Sequence, residues 1–275
     1  MNKKNSLAVV LCLMLLGACS DADREEPEEL PDSAYSDDEA ESTPELPVPG
    51  LQVADAGVEP RVALRIEGSL ATEIEVSASS RSEGTIGGEP LDDSLFASYL
   101  LNVDLIESEP GRLLARFSVA DIATTPSIGF DDPGTWEWRL DENGMLLSST
   151  PPALPPGNRL SEVLSTVGLV LMVPPEPIGE GAAWTYTAPG SDTPIEFGVT
   201  GISDDEIDGF ISSRHETAGG TISILSTGSW DRRSLLATRG VSQIQMEIES
   251  TTTRNGEEVP VSITRAVRFL YGADE

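Results

Sequence analysis

From Gln243 to Glu249 the chain alternates without a break. Ile244, Met246 and Ile248 fall on one side, and Gln243, Gln245, Glu247 and Glu249 on the other. Period two puts successive side chains on opposite faces of a strand, so one face is dry and the other wet. The same rhythm runs through Val62, Leu64 and Ile66; Ile74 and Val76; Leu113, Ala115, Phe117 and Val119; Trp136, Trp138 and Leu140; Ile195, Phe197 and Val199; and Val261, Ile263, Val267 and Phe269. One-faced strands in such number predict a mainly β fold, a curved antiparallel sheet or incompletely closed β-barrel over one core. Asn143-Gly144 and Asn255-Gly256 stand between such runs and supply the positive φ angles that tight hairpins need. Asp208-Gly209 is expected to close another hairpin.

One segment departs from period two. After Pro155-Pro156, residues Leu160, Val163, Leu164, Val167 and Leu171 recur at helical spacing, with Asn158 or Ser161 to cap the start and Pro174-Pro175 to end it. The spacing predicts one amphipathic helix near 159–172, packed on the sheet. The halves on either side weakly resemble each other. Pro110-Gly111, Trp136-Glu137-Trp138 and Leu146-Leu147 in the first answer to Asp208-Gly209, Ser229-Trp230 and Leu235-Leu236 in the second. A duplicated sheet unit would give this, and so would a plain β-meander.

The N-terminus follows a different logic. Lys3 and Lys4 precede a short apolar run, Leu7 to Leu16, too short to span a bilayer comfortably. Leu16-Gly17-Ala18-Cys19 resembles the lipobox of bacterial lipoproteins. That resemblance implies a signal peptide over 1–18 and diacylglyceryl modification of the Cys19 thiol, with further acylation of the new amine. Two or more chains hold a protein on a bilayer where one gives only marginal binding. Only Cys12 and Cys19 exist, so after processing no cysteine is left for a disulfide, a thiol nucleophile or a thiolate metal site. Ser20, where the sorting rule of this class uses aspartate for inner-membrane retention, points to the outer membrane of the cell envelope. Residues 19–60 read as the lipidated cysteine and a disordered acidic tether. Twelve acids and one base, Arg24, fall between Ser20 and Gly50, with Pro27, Pro31, Pro44, Pro47 and Pro49 among them. A single β-rich domain is expected over 61–272.

Charge excludes some functions. The chain carries 47 acids against 17 bases, a net charge of −30, and no lysine follows Lys4. Such a surface is unsuited to nucleic acid or anionic headgroups through bulk electrostatics. Lysine-based covalent catalysis is likewise absent from the exported part.

A search for chemistry finds no catalytic residue, metal site or cofactor motif. His215 is the only histidine, and a lone histidine near a strand end reads as a surface or hydrogen-bonding residue. Asp204, Glu206 and Asp208 alternate before Gly209 like the first half of a calcium loop, but His215 occupies the position of the closing glutamate. A hairpin turn with solvated acids is the simpler reading. In a chain this poor in aromatics, the four tryptophans read first as core anchors. The alternative is a ligand groove between helix and sheet, lined by Trp136, Trp138, Leu164, Val167, Leu171 and Trp184.

The stretch Pro177-Ile178-Gly179-Glu180-Gly181-Ala182-Ala183-Trp184 resembles a group of uncharacterised bacterial lipoproteins that share a proline, a Gly-x-Gly and a Trp opening a strand. The group looks like the lipoprotein-carrier class, a curved, incompletely closed antiparallel barrel plugged by helix, some of whose members carry acyl chains under the sheet. The resemblance implies a fold and an apolar groove, and carries over no catalytic residue. The expectation is therefore a non-enzymatic envelope module on a lipid anchor, partnered by the membrane and by an apolar ligand or another envelope protein. An envelope hydrolase built on an acidic pair, or a calcium-stabilised adhesion domain, are the alternatives.

Overall fold

The structure, a computed structural model, describes residues 50–127, 133–154, 158, 160–164, 168–188, 191–217, 219–254 and 257–272. Cys19, the tether up to residue 49, Val167, Asp131-Asp132 and the Asn255-Gly256 turn lie outside these residues.

Twelve antiparallel strands form one sheet: β1 (Leu51–Asp55), β2 (Leu70–Ile86), β3 (Glu89–Glu109), β4 (Arg112–Thr125), β5 (Trp136–Asp141), β6 (Leu146–Ser149), β7 (Ala183–Tyr186), β8 (Ile195–Ile202), β9 (Glu206–Thr217), β10 (Gly220–Asp231), β11 (Ala237–Arg254) and β12 (Glu257–Tyr271). The lateral order is β1-β7-β8-β9-β10-β11-β12-β2-β3-β4-β5-β6. Two meanders, β2 to β6 and β7 to β12, thus meet where β12 pairs with β2. Strands at opposite ends of that order, such as β5 with Trp136 and β7 with Trp184, feed one hydrophobic core. The sheet is curved but not closed into a barrel. The two meanders are unlike in detail, since Trp136 opens β5 whereas Trp230 sits at the end of β10, beside the turn into β11.

Folding begins earlier in the chain than the pattern predicts. Leu51–Asp55, assigned to the tether on its acidic surroundings, pairs with β7. The expected turn at Asp208-Gly209 is also displaced. Both residues lie inside β9, and the chain reverses at Ser203–Glu206 instead, where Ser203 N donates to Glu206 O at 2.9 Å. Asn143-Gly144 does turn between β5 and β6, with Gly144 at φ +78°.

The connection from β6 to β7 crosses the inner face as a strap. Its helix, α1, is one turn, Leu160–Val163, where a helix over 159–172 was expected. Asn158 caps it, its Oδ1 accepting from Leu160 N at 2.9 Å. Gly168, at φ +77°, ends any continuation. Beyond it the strap is extended: Ala237 N donates to Leu169 O, Leu171 N to Leu235 O and Val173 N to Asn143 O. A segment buried on most sides shows no clean period, which is why its apolar run also fits a helix.

Three aromatic donors pin the strap from three strands. Tyr99 Oη donates to Val163 O at 2.7 Å, Trp230 Nε1 to Gly168 O at 3.0 Å and Trp184 Nε1 to Met172 O at 3.2 Å. The inner face is correspondingly shallow along the strap. Gly209, Gly228 and Gly240 lie side by side on β9, β10 and β11, and Ser226 and Ser242 follow in the next row. The motif residues at 177–184 are structural too. Ile178 bridges Val62, Gly179 lies backbone-to-backbone against Val58 where a Cβ would come within 1.9 Å of its carbonyl, and Trp184 stacks on Phe197 at 5.6 Å.

The β5–β6 turn carries a testable electrostatic feature. Asp141 Oδ1 accepts from Asn143 N at 3.0 Å and Met145 N at 2.8 Å, yet burial raises its carboxyl above the ordinary aspartate range. The folded state therefore holds this proton more tightly than the unfolded chain does. Its contribution favours folding at low pH and is lost as pH rises through the folded value. Asp141→Asn keeps an oxygen for both donors without a charge to desolvate. It is expected to melt up to about 3 °C above the parent at neutral pH, and the gap should close on acidification. A gap that widens with acid in paired thermal scans would reverse the assignment.

Candidate ligand-binding face

The strand registers divide the inner face into rows. His215, Ile222, Met246, Arg265, Ser82 and Asp93 stand side by side on β9, β10, β11, β12, β2 and β3. Except for exposed Asp93, their burial follows the inward phase of each strand. On β12, for example, Val267, Phe269 and Tyr271 are buried while Ala266 and Arg268 are exposed, so Arg265 shares the inward side.

Cover falls away along the rows. Nearer the strap, Ile244, Val267 and Leu95 are at most 3% exposed. In the row with Arg265, Met246 and Ser82 are still buried, whereas Ile222 and Arg265 are half-buried. The next row, Ile248, Ile263, Gly84 and Leu91, is half-buried throughout, as are Val261 and Ile86 beyond it. Ile263, Val261, Ile86 and Leu91 no longer belong to the core or to its packed margin. The long hairpins β2–β3 and β11–β12 thus carry an apolar inner face past the filled core and leave it open.

Arg265 interrupts this apolar surface. On β12 it stands between inward Ile263 and Val267. Its Nε donates to Ser82 Oγ at 2.8 Å, and that serine is itself buried at 5% exposure. A cation held among isoleucines and methionine is costly unless its donors are satisfied, and the Ser82 hydroxyl accepts one of them. Sequence reasoning passed over Arg265. The available signal was the run Val261, Ile263, Val267, Phe269, whose missing inward member is this arginine.

The sequence-predicted groove residues sit elsewhere. Trp136, Leu164, Leu171 and Trp184 are at most 3% exposed, inside the core. Trp138 is half-buried with its ring 4.8 Å from that of Phe117. The space between α1 and the sheet is packed with side chains, and the open apolar surface lies further along the strands.

Other groups are engaged in structure. His215 Nδ1 is hydrogen-bonded to Thr193 Oγ1. Glu206 pairs with Arg239 at 3.1 Å, and Asp208 accepts from Ser229 Oγ. Among the described residues no three of His, Cys, Asp or Glu are grouped to hold a metal. Asp141 is the one carboxylate there raised by burial, and it caps a turn. A polar cleft of about 270 Å³ at the opposite end is lined by Ala63, Arg65, Glu67, Asp204, Arg232 and Arg233. Arg65 there pairs with Glu142 at 3.2 Å and Arg232 donates to Ser203 O, so both guanidinium groups have partners in the fold.

No protein-family model and no curated protein matches this chain. Among solved structures it is similar to an AttH candidate from Nitrosomonas europaea, at 13% identity and a TM-score of 0.16 over 74% of this chain. The chain spans about half that protein's length, 52%.

Proposed function

We propose that the protein is a non-enzymatic lipoprotein of the cell envelope, anchored through Cys19, that holds an apolar or lipid ligand on the open part of its inner face. The observation that carries this reading is the apolar surface of Ile263, Val261, Ile86 and Leu91, which continues the core's inward pattern but lies beyond its cover. Side chains patterned as core but left half-exposed mark a binding surface more than a folding requirement.

The chain path adds a second support. β1 runs antiparallel to β7, with Leu51 opposite Tyr186, and Thr187 N donates to Gly50 O at 2.9 Å. The N-terminal segment therefore leaves the sheet at the end where the inner face opens. Residues 20–49, if extended, reach roughly 100 Å. The tether lets the open end approach the membrane that the anchor holds. Its acids keep it solvated and away from anionic headgroups.

Native mass spectrometry tests the reading on the chain from Ser20 onward, which keeps every described element, purified from a bacterial host without detergent. The expected result is a co-purified mass of an acyl chain or phospholipid, removed by organic extraction. A clean apo mass that also takes up no added lipid would overturn it and leave a scaffold or partner-binding module.

A further inference from the structure

We infer that the occupant of this face is the protein's own anchor, one acyl chain of the lipid on Cys19, folded back across the open end of the same molecule. This rests on the reading of the open face as a lipid site and of Cys19 as the anchor, and it names the source of the lipid.

The argument begins where the chain enters the sheet. Leu51, Tyr186 and Ile195 stand in one row with Ser213, Ile224, Ile244 and Val267. On the open side β1, β7 and β8 stop at that row, whereas β11, β12, β2 and β3 run on past it. Ile263 lies two inward rows beyond Val267, about 13 Å along the strand. Gly50 therefore brings the preceding chain to the mouth of the inner face. Six strand spacings of about 4.8 Å separate β1 from β12, roughly 29 Å along the sheet and less across its curve.

The link has the matching length. Residues 20–49 join Cys19 to that point. A flexible chain of this length has an end-to-end distance of roughly 30 Å, and repulsion among the tether's acids extends it. A tethered ligand meets its site at the highest effective concentration when link and span agree, on the order of millimolar. A dilute free lipid lacks that advantage. The chemistry of the face agrees as well. Ile263, Gly84 and Leu91 in one row, and Val261 and Ile86 in the next, carry no charge. An acyl chain fixed to the Cys19 sulfur brings no ionised head that would need a partner there. In a bilayer two or more chains insert together and hold the protein, so the covered state is that of the protein in water.

The test uses the chain from Cys19, whose single thiol is made to carry either a hexadecyl thioether or, as control, a methyl thioether. Both forms are studied without detergent, by sedimentation and by binding of hexadecanol as a neutral single-chain probe. The methyl form is expected to bind hexadecanol. The hexadecyl form is expected to stay monomeric and to bind the probe about tenfold or more weakly, because its own chain holds the face. Ile263→Glu is expected to release that chain and raise the hexadecyl form's affinity for phosphatidylcholine vesicles several-fold. The methyl form of the same variant should not bind vesicles, which shows that the gain is not misfolding. Equal hexadecanol binding by the two parent forms, a dimer whose copies exchange chains, or a vesicle affinity indifferent to Ile263→Glu would overturn the self-held anchor and leave a site for another lipid. A methyl form that binds no hexadecanol would remove the underlying reading as well.

Discussion

Replacing Trp230 by alanine is expected to lower stability by about 3–5 kcal/mol, in the range for truncating a buried tryptophan. In a folded part of this size that lowers the melting temperature by roughly 6–20 °C. Trp230 is 1% exposed, and its indole donates to the Gly168 carbonyl where the strap turns. Trp230→Phe separates the two contributions. It keeps much of the apolar surface but leaves the Gly168 carbonyl without that donor, at about 1–3 kcal/mol. Thermal or denaturant unfolding should therefore rank parent, Trp230→Phe and Trp230→Ala in falling order. An alanine variant that melts within a degree or two of the parent would mean that the strap lies outside the cooperative unit.

Gly168→Ala should cost about 2–5 kcal/mol although it adds a single methyl group. The left-handed φ of +77° accounts for about 1–2 kcal/mol. The rest is steric. A Cβ at this position would stand 2.4 Å from Ser242 Oγ and 2.5 Å from Ser226 Oγ, while the bond from Trp230 holds the backbone in place. Gly181→Ala is the control. Its φ is +83° with nothing within 4 Å of an added Cβ, so it should lose only the conformational share. Ser226 Oγ is buried and without a hydrogen-bond partner, so Ser226→Ala in the Gly168→Ala background should recover part of the loss by making room. Equal losses for Gly168→Ala and Gly181→Ala in paired unfolding curves would contradict the close approach of strap and sheet.

Much of the sheet is legible in the sequence, because a strand with one dry face writes its own alternation. Ile244, Met246 and Ile248 do this in β11, and Trp136 and Leu140 in β5. The full length of β2 is not legible, for a physical reason. Its inward residues Ala78, Ser80 and Ser82 are small or polar where the strap and Arg265 approach, so the hydrophobic signal fades in mid-strand. The strap misleads in the opposite way. Leu160, Val163, Leu164, Leu169, Leu171 and Val173 are all buried, and a segment buried on most sides carries no period to read. Gly209 reads as a turn residue but is needed for its lack of a side chain, since a Cβ there would come within 2.3 Å of the Gly198 carbonyl. The candidate site was hidden because it depends on register. Arg265, Ser82 and Met246 are far apart in the chain and become neighbours only through two strand pairings.

The order of the strands has a consequence for life in a crowded compartment. A sheet that does not close keeps two edges, and exposed edges are templates on which a second copy can add its own strands. Here the edges fall to β1 and β6, of five and four residues, while the strands of 15 to 21 residues, β11, β12, β2 and β3, stand in the middle. Another chain could extend the ladder by only a few hydrogen bonds at either side. The geometry leaves the inner face accessible to a small molecule while the terminal strands β1 and β6 offer neighbouring copies only a short strip of unpaired backbone.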